Sequence, residues 1–108
     1  MISLFHADAM VYSPLYGIKK ATDFYKELFA VTNDSKITLK NIFVSSENNH
    51  SAAAHFLYLW TLQDGIEAPF ECIDLFEFAP NGTIISLKII YDTYLIRPKF
   101  NKATVATA

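Results

Sequence analysis

The feature that most constrains this chain is a strict two-residue alternation of apolar side chains in two neighbouring stretches. Across residues 51–63 every second side chain is apolar, and the same period runs through residues 66–78, where Asp74 is the one exception. A period of two places alternate side chains on one face of a β-strand. The Asp64-Gly65 pair between the stretches favours a tight turn, so the sequence predicts an antiparallel hairpin with one apolar face.

Further strands extend this hairpin into a sheet. The turn at residues 80–82 is followed by a long apolar stretch at 83–96, which completes an antiparallel meander with the first two strands. Other strands are predicted at 37–45 and, more briefly, at 9–13. Strands of this length imply a strongly bent sheet, because a flat sheet cannot cover its own apolar face.

One helix is predicted between the strands at 9–13 and 37–45. Apolar side chains recur there at three-to-four spacing, with Gly17 as the amino cap and residues 33–35 as the end. A chain of 108 residues has room for one domain, which we assign to residues 1–98. Residues 99–108 are mostly small and polar, which predicts a loose carboxyl-terminal tail.

Composition narrows the classes of function. The net charge is −2 and the longest basic cluster is Lys19-Lys20, which disfavours a nucleic-acid partner. No apolar run approaches the roughly 20 residues of a membrane span, and the amino terminus lacks the pattern of a secretory signal. The single cysteine, Cys72, excludes an internal disulfide and fits a reducing compartment. We therefore expect a cytoplasmic protein, away from membranes, that uses neither a metal nor a cofactor.

Five segments together resemble a known superfamily. Residues 4–14 are similar to the junction of the first helix and first strand in nuclear transport factor 2-like proteins, and residues 17–29 to their next helix. Residues 73–78 and 81–84 resemble the penultimate hairpin of these proteins. Ile90-Tyr91-Asp92 resembles the last strand of the SnoaL-like members.

The resemblance covers residues 3–97 and implies an α+β fold. In this fold a cone-shaped, curved antiparallel or mixed β-sheet wraps over helices, an arrangement also called a cystatin-like α+β barrel. An apolar pocket inside the cone and a homodimer through the outer face of the sheet are further implications. The long first helix of the superfamily is largely missing from this chain. Members include ketosteroid isomerases, polyketide cyclases and non-catalytic binding domains, so the fold does not decide the function.

Asp74 is the first candidate for chemistry, because it is the one charged residue in phase with its apolar neighbours. Burial of a carboxylate on such a face raises its pKa and favours the protonated form, which can donate a hydrogen bond to a developing oxyanion. The Ile-Asp-x-Phe pattern at 73–76 resembles the place where ketosteroid isomerases hold such an acid. The alternative is that Asp74 faces water or bonds to the backbone at a bulge.

Asp92 is the second candidate, because the Tyr-Asp pair resembles the acid-base aspartate of the cyclases. A pairing of Asp92 with Lys88 on a solvated strand face is the alternative. Tyr12 and Ser13 are expected at the pocket. By resemblance, Ser13 stands where the isomerases carry a proton-shuttling aspartate, and a serine without a base is a poor replacement.

The remaining expected pocket residues lie in phase with Asp74 or on the preceding strand. Core packing or a dimer face is the alternative reading for the aromatic ones. These residues are Tyr58, Trp60, Phe70, Cys72 and Phe76. We expect a domain that binds a small apolar or carbonyl-bearing molecule, with aspartate-based isomerase or cyclase chemistry if it is an enzyme. A non-catalytic ligand-binding or homodimerisation module is the alternative.

Overall fold

The computed structural model describes residues 4–47 and 50–107, which form one curved, mixed sheet and two helices. The elements in chain order are β1 (Phe5–Ser13), β2 (Gly17–Lys20), α1 (Ala21–Val31), β3 (Thr32–Val44), β4 (Ser51–Leu62), β5 (Glu67–Phe78), β6 (Ile84–Ile90) and α2 (Arg97–Thr107). The sheet order is β2-β1-β6-β5-β4-β3, and the β1–β6 pair is parallel while the other neighbours are antiparallel.

The predicted meander of β4, β5 and β6 is confirmed. Tyr58 lies opposite Phe70 and Phe56 opposite Cys72, so the alternating aromatic side chains of β4 and β5 share one face. The backbone N–H of Leu62 donates to the carbonyl of Ile66 at 2.9 Å and closes the turn between them. The bend of the sheet comes with register shifts in the β3–β4 and β5–β6 pairs, where bulges increase the local twist.

The apolar core lies on the concave face of the sheet. One cluster packs α1 against β1 and β6 through Phe24, Tyr25, Val11 and Leu87. A second cluster joins β4 to α2. Its buried residues are Val31, Trp60, Leu62, Ala68, Ile96 and Phe100.

The helix α1 begins later and ends earlier than the sequence predicts. Gly17 is not its cap: Gly17 has a φ of +77° and lies opposite Ser13 in the β1–β2 pair. The backbone groups of residues 17–20 pair with β1 in this hairpin, so α1 starts only at Ala21. Residues 33–35 lie in β3 rather than at the end of the helix, because β3 pairs with β4 from Thr32 onward.

The last predicted strand and the loose tail are both corrected. The strand predicted at 83–96 ends at Ile90. The chain then turns, and residues 99–107 belong to α2. Phe100 packs against Tyr16 with the ring centroids 5.0 Å apart, and the Arg97 guanidinium donates to the Pro14 carbonyl at 2.6 Å. One buried aromatic side chain therefore orders a segment whose composition predicts no structure.

No helix within residues 4–47 and 50–107 has the length and apolar character needed to cross a bilayer. Within the same residues, no group of three or more histidine, cysteine, aspartate or glutamate side chains is arranged to hold a metal ion.

Candidate functional site

A cavity of about 360 Å³ lies between α1 and the concave face of the sheet. This volume is at the lower end of the range for small-molecule sites, about 300–1,000 Å³. Aromatic and aliphatic side chains form most of its wall, and among the described residues that line it Asp74 is the one with a charged side chain. Of the residues expected at the pocket, those lining the cavity are Ser13, Tyr58, Trp60, Phe70, Cys72, Asp74 and Phe76.

Asp74 lies in the middle of β5, opposite Ala54 of β4 and Ile89 of β6. The alternation of β5 turns its carboxyl to the concave face, where it is partly buried. Burial raises the pKa of Asp74 from 3.8 to about 6, and a hydrogen bond from Cys72 opposes this rise. The carboxyl therefore changes protonation state within a pH range that proteins experience.

Cys72 is the immediate neighbour of Asp74 on the same face. Its thiol donates a hydrogen bond to Asp74 Oδ1, with Sγ and Oδ1 3.3 Å apart. Burial is the main cause that raises the pKa of the Cys72 thiol, and the charge of Asp74 adds to it. The group therefore stays a neutral thiol and acts as a donor, not as a nucleophile.

Four tyrosines surround the same space. Burial raises the pKa of Tyr25 to about 12, with a further contribution from the charge of Asp74. Burial also raises the pKa of Tyr16, Tyr58 and Tyr91. All four hydroxyls therefore keep their protons at neutral pH, and that of Tyr16 donates to the Glu27 carbonyl at 3.5 Å.

Three rings stand side by side along one wall of the cavity. Tyr58 stacks on Phe70 with the centroids 5.1 Å apart, and Phe70 stacks on Tyr91 with the centroids 4.2 Å apart. The Tyr58 hydroxyl also lies 2.6 Å from Ser35 Oγ in β3. These contacts hold the wall in one arrangement and present its apolar surface to the cavity.

Trp60 and Ser13 are held by contacts within the protein. The Trp60 indole donates to Thr32 Oγ1 at 2.8 Å, and the side chain is only 2% exposed. Ser13 Oγ accepts hydrogen bonds from the backbone N–H groups of Leu15 and Tyr16, each at 3.2 Å. Both polar groups therefore stabilise local structure, and Ser13 orders the turn after β1.

Tyr12 and Asp92 do not line the cavity. Tyr12 points to the other side of β1 and is 39% exposed. Asp92 lies beyond the end of β6, where its Oδ1 accepts a hydrogen bond from the Tyr94 N–H at 2.9 Å. The strand β6, with its alternation of side chains between the two faces, ends at Ile90. The alternation therefore does not place Asp92 on the concave face. The lining of the cavity therefore supports neither the expected pocket position of Tyr12 nor the expected catalytic role of Asp92 beside Asp74.

Among the cavity residues whose place in the site the sequence did not predict are three tyrosines, Tyr16, Tyr25 and Tyr91. Tyr25 belongs to the apolar stripe of the predicted helix, so a signal for its inward direction was present. Tyr91 carries no such signal, because it follows the last residue of β6.

The convex face of the sheet carries a polar array. His55 Nε2 lies 2.6 Å from Glu71 Oε2, and His55 Nδ1 lies 3.3 Å from Asn41 Nδ2. Exposed apolar side chains surround this array, and they are Phe43, Leu57, Ile73, Leu75 and Ile90. His55 thus has polar partners on both sides of its ring, and it lies on the face of β4 opposite the cavity wall, because successive side chains of a strand alternate between its two faces.

No family model matches the chain, and no curated protein matches it. Several solved structures, however, match the fold of the chain. The chain is similar to a nuclear transport factor 2-like protein of unknown function from Exiguobacterium, with 20% identity, a TM-score of 0.68, and coverage of 84% of this chain and 79% of that one. A steroid Δ-isomerase from Pseudomonas aeruginosa is 15% identical, with a TM-score of 0.66 and coverage of 96% and 74%.

A third similar structure is a Mycobacterium tuberculosis protein in complex with estradiol-17β-hemisuccinate. It is 14% identical, with a TM-score of 0.70 and coverage of 84% of this chain and 78% of that one. Identities this low establish the fold and leave the activity open. The chain has the cone-shaped α+β fold of the nuclear transport factor 2-like superfamily.

Proposed function

We propose that the cavity binds a small, apolar, carbonyl-bearing molecule and that Asp74 recognises its oxygen. The observation that carries this proposal is one partly buried carboxyl, with a pKa raised to about 6, in an otherwise apolar cavity. A buried ionisable group with a shifted pKa inside a cavity is typical of a functional site. The steroid ligand of the similar mycobacterial protein supports the idea that this fold holds such molecules.

The chemistry follows from the two protonation states of Asp74. The protonated carboxyl donates a hydrogen bond to a carbonyl oxygen and so holds the ligand. The ionised carboxylate takes the proton of a C–H beside the carbonyl, which forms the enolate, and then returns this proton to another carbon. Enolisation, isomerisation and aldol cyclisation are the reaction classes that need these steps. The Tyr25 hydroxyl, which keeps its proton, is placed near Asp74 to serve as a second donor.

The charge of the cavity limits the ligand further. Among the described residues that line it there is no lysine, arginine or histidine. A carboxylate or phosphate ligand would leave water without gaining a cationic partner, which is costly in an apolar cavity. We therefore expect neutral ketones to bind in preference to acids of the same size.

Isothermal titration with a panel of neutral cyclic ketones tests the proposal. The wild-type chain should bind at least one of them, more tightly at pH 5 than at pH 8, because only the protonated carboxyl donates to the oxygen. Asp74→Leu removes the hydrogen bond and should weaken binding about tenfold. Glu71→Gln is the matched control, since it changes a carboxylate on the opposite face of the same strand. Absence of binding by every ketone, or equal binding by Asp74→Leu, would reject the proposal.

A second candidate function is homodimerisation through the convex face, which the five exposed apolar side chains around His55 favour. Four strands about 4.8 Å apart and about ten residues long cover roughly 600 Å² in projection. This approaches the about 800 Å² that each partner of a stable dimer buries. Both functions are compatible, because the cavity and the convex face lie on opposite sides of the sheet.

Analytical ultracentrifugation of Ile73→Lys tests the dimer. The wild-type chain should sediment as a dimer at micromolar concentration and the variant as a monomer, because a lysine without a partner at the centre of the interface is costly. Thr22→Lys, on the exposed face of α1, is the matched control and should remain dimeric. A monomeric wild-type chain would remove the second candidate.

A reducing, cytoplasmic location is also part of our proposal, supported by the free thiol of Cys72.

A further inference from the structure

A contact between Cys72 and Asp74 engages one oxygen of the carboxyl that lines the cavity. The two residues are two positions apart on β5, so their side chains emerge from the same face of the strand. The thiol is buried and donates to Oδ1 at 3.3 Å. Oδ1 is therefore engaged within the protein, and Oδ2 is the oxygen left for the acidic proton.

We propose that Cys72 is a positioning residue: its thiol holds Oδ1 of Asp74 so that Oδ2 faces the ligand and carries the exchangeable proton. The terminal torsion of an aspartate side chain is broad and roughly two-fold. Without a hydrogen bond to one oxygen, the Asp74 carboxyl would present either oxygen to the ligand, or its plane would lie flat against the cavity wall. The role of Cys72 rests on the binding role proposed for Asp74.

A thiol suits this task for two reasons. It is a weak donor, so it orients the carboxylate while leaving most of the effect of burial on the pKa of Asp74 in place. It is also small and apolar enough to be buried opposite Phe56, where its sulfur accepts a backbone hydrogen bond from Ile90. A hydroxyl at the same position would bind the ionised carboxylate more strongly and move the proton affinity of Asp74 away from neutral pH.

Nuclear magnetic resonance titration of ¹³C-labelled aspartate carboxyls tests the proposal without any ligand. The Asp74 resonance is assigned by its loss in Asp74→Asn. Cys72→Val, which keeps the size and removes the donor, should raise the pKa of Asp74 by about half a unit. Cys72→Ser should lower it. Leu75→Val, next to Asp74 but on the exposed face of β5, is the control for altered packing of the strand and should leave the pKa of Asp74 unchanged.

Cys72→Ala is the second donor-free variant, in case the valine side chain prevents folding. A donor role predicts a raised pKa in both donor-free variants and a lowered pKa in the serine variant. A shift of the same sign in all three variants, or no shift in any, would overturn the proposal, because either result would mean that packing alone controls the carboxyl.

The outcome is separable from the proposed function. If no ketone binds to the wild-type chain, the binding role fails, while the titration still reports whether the thiol holds the carboxyl. If a ketone binds, its affinity should fall at a higher pH in Cys72→Val than in the wild-type chain, in step with the pKa of Asp74. Identical pH profiles for the two proteins would contradict the role of Cys72 even if binding persists.

Discussion

Replacement of Asp74 by asparagine should stabilise the protein at neutral pH. Burial moves the pKa of this carboxyl from 3.8 to about 6, so the folded chain holds the proton more tightly than the unfolded chain. Between about pH 4 and pH 6 the folded state therefore binds more protons, and the free energy of unfolding falls as the pH rises through that window. Each pKa unit corresponds to about 1.4 kcal/mol, so the loss attributable to Asp74 is about 2–3 kcal/mol.

The difference between wild type and Asp74→Asn isolates this effect from the other titrating groups. The two proteins should differ by less than about 1 kcal/mol at pH 4, and the variant should be more stable by about 2 kcal/mol at pH 7.5. Urea denaturation at both pH values measures this, followed by the fluorescence of Trp60, the single tryptophan. Its burial makes it a reporter of the core.

Glu77→Gln is the control, because it makes the same chemical change on the exposed face of β5. Its effect on stability should stay within about 0.5 kcal/mol at both pH values. A stability difference between wild type and Asp74→Asn that is the same at pH 4 and pH 7.5 would refute the reasoning. That result would mean that the Asp74 carboxyl is hydrated in the folded protein. Its pKa would then not be raised, and the proposed function would lose this support.

Three further predictions concern the scaffold, and urea or thermal denaturation measures each of them. Thr32→Val removes the acceptor of the Trp60 indole and should lower the free energy of unfolding by about 1–3 kcal/mol. Thr32→Ser keeps the hydroxyl and should keep most of the stability. Equal losses in the two variants would contradict the role of the hydroxyl. Phe100→Ala should cost about 3–4 kcal/mol by opening a void beside Tyr16, and an unchanged stability would show that α2 does not close the core. Gly65→Ala should cost about 1 kcal/mol, because its φ is +84° in the turn between β4 and β5, and a gain in stability would contradict the strained turn.

Local patterns predicted much of the sheet and failed at its ends. The alternation of β4 and β5 depends only on the geometry of an extended backbone, so their faces and the inward direction of Asp74 followed from the residues alone. The end of β6 at Ile90 depends on where its partner β5 stops pairing with it, and the sequence holds no separate sign of this. For that reason the sequence predicted Asp92 on a strand face, whereas it lies beyond the end of β6.

The amino-acid sequence by itself determined that one carboxyl lies among apolar side chains on one face of a long strand. Only the tertiary structure decided what surrounds that carboxyl. Tyr25 of α1 and Tyr91 after β6 are 66 positions apart, yet the curved sheet and the helix place both around the cavity that contains Asp74. Curvature is a property of the whole paired sheet, because it arises from twist and bulges shared between strands, and no single strand encodes it.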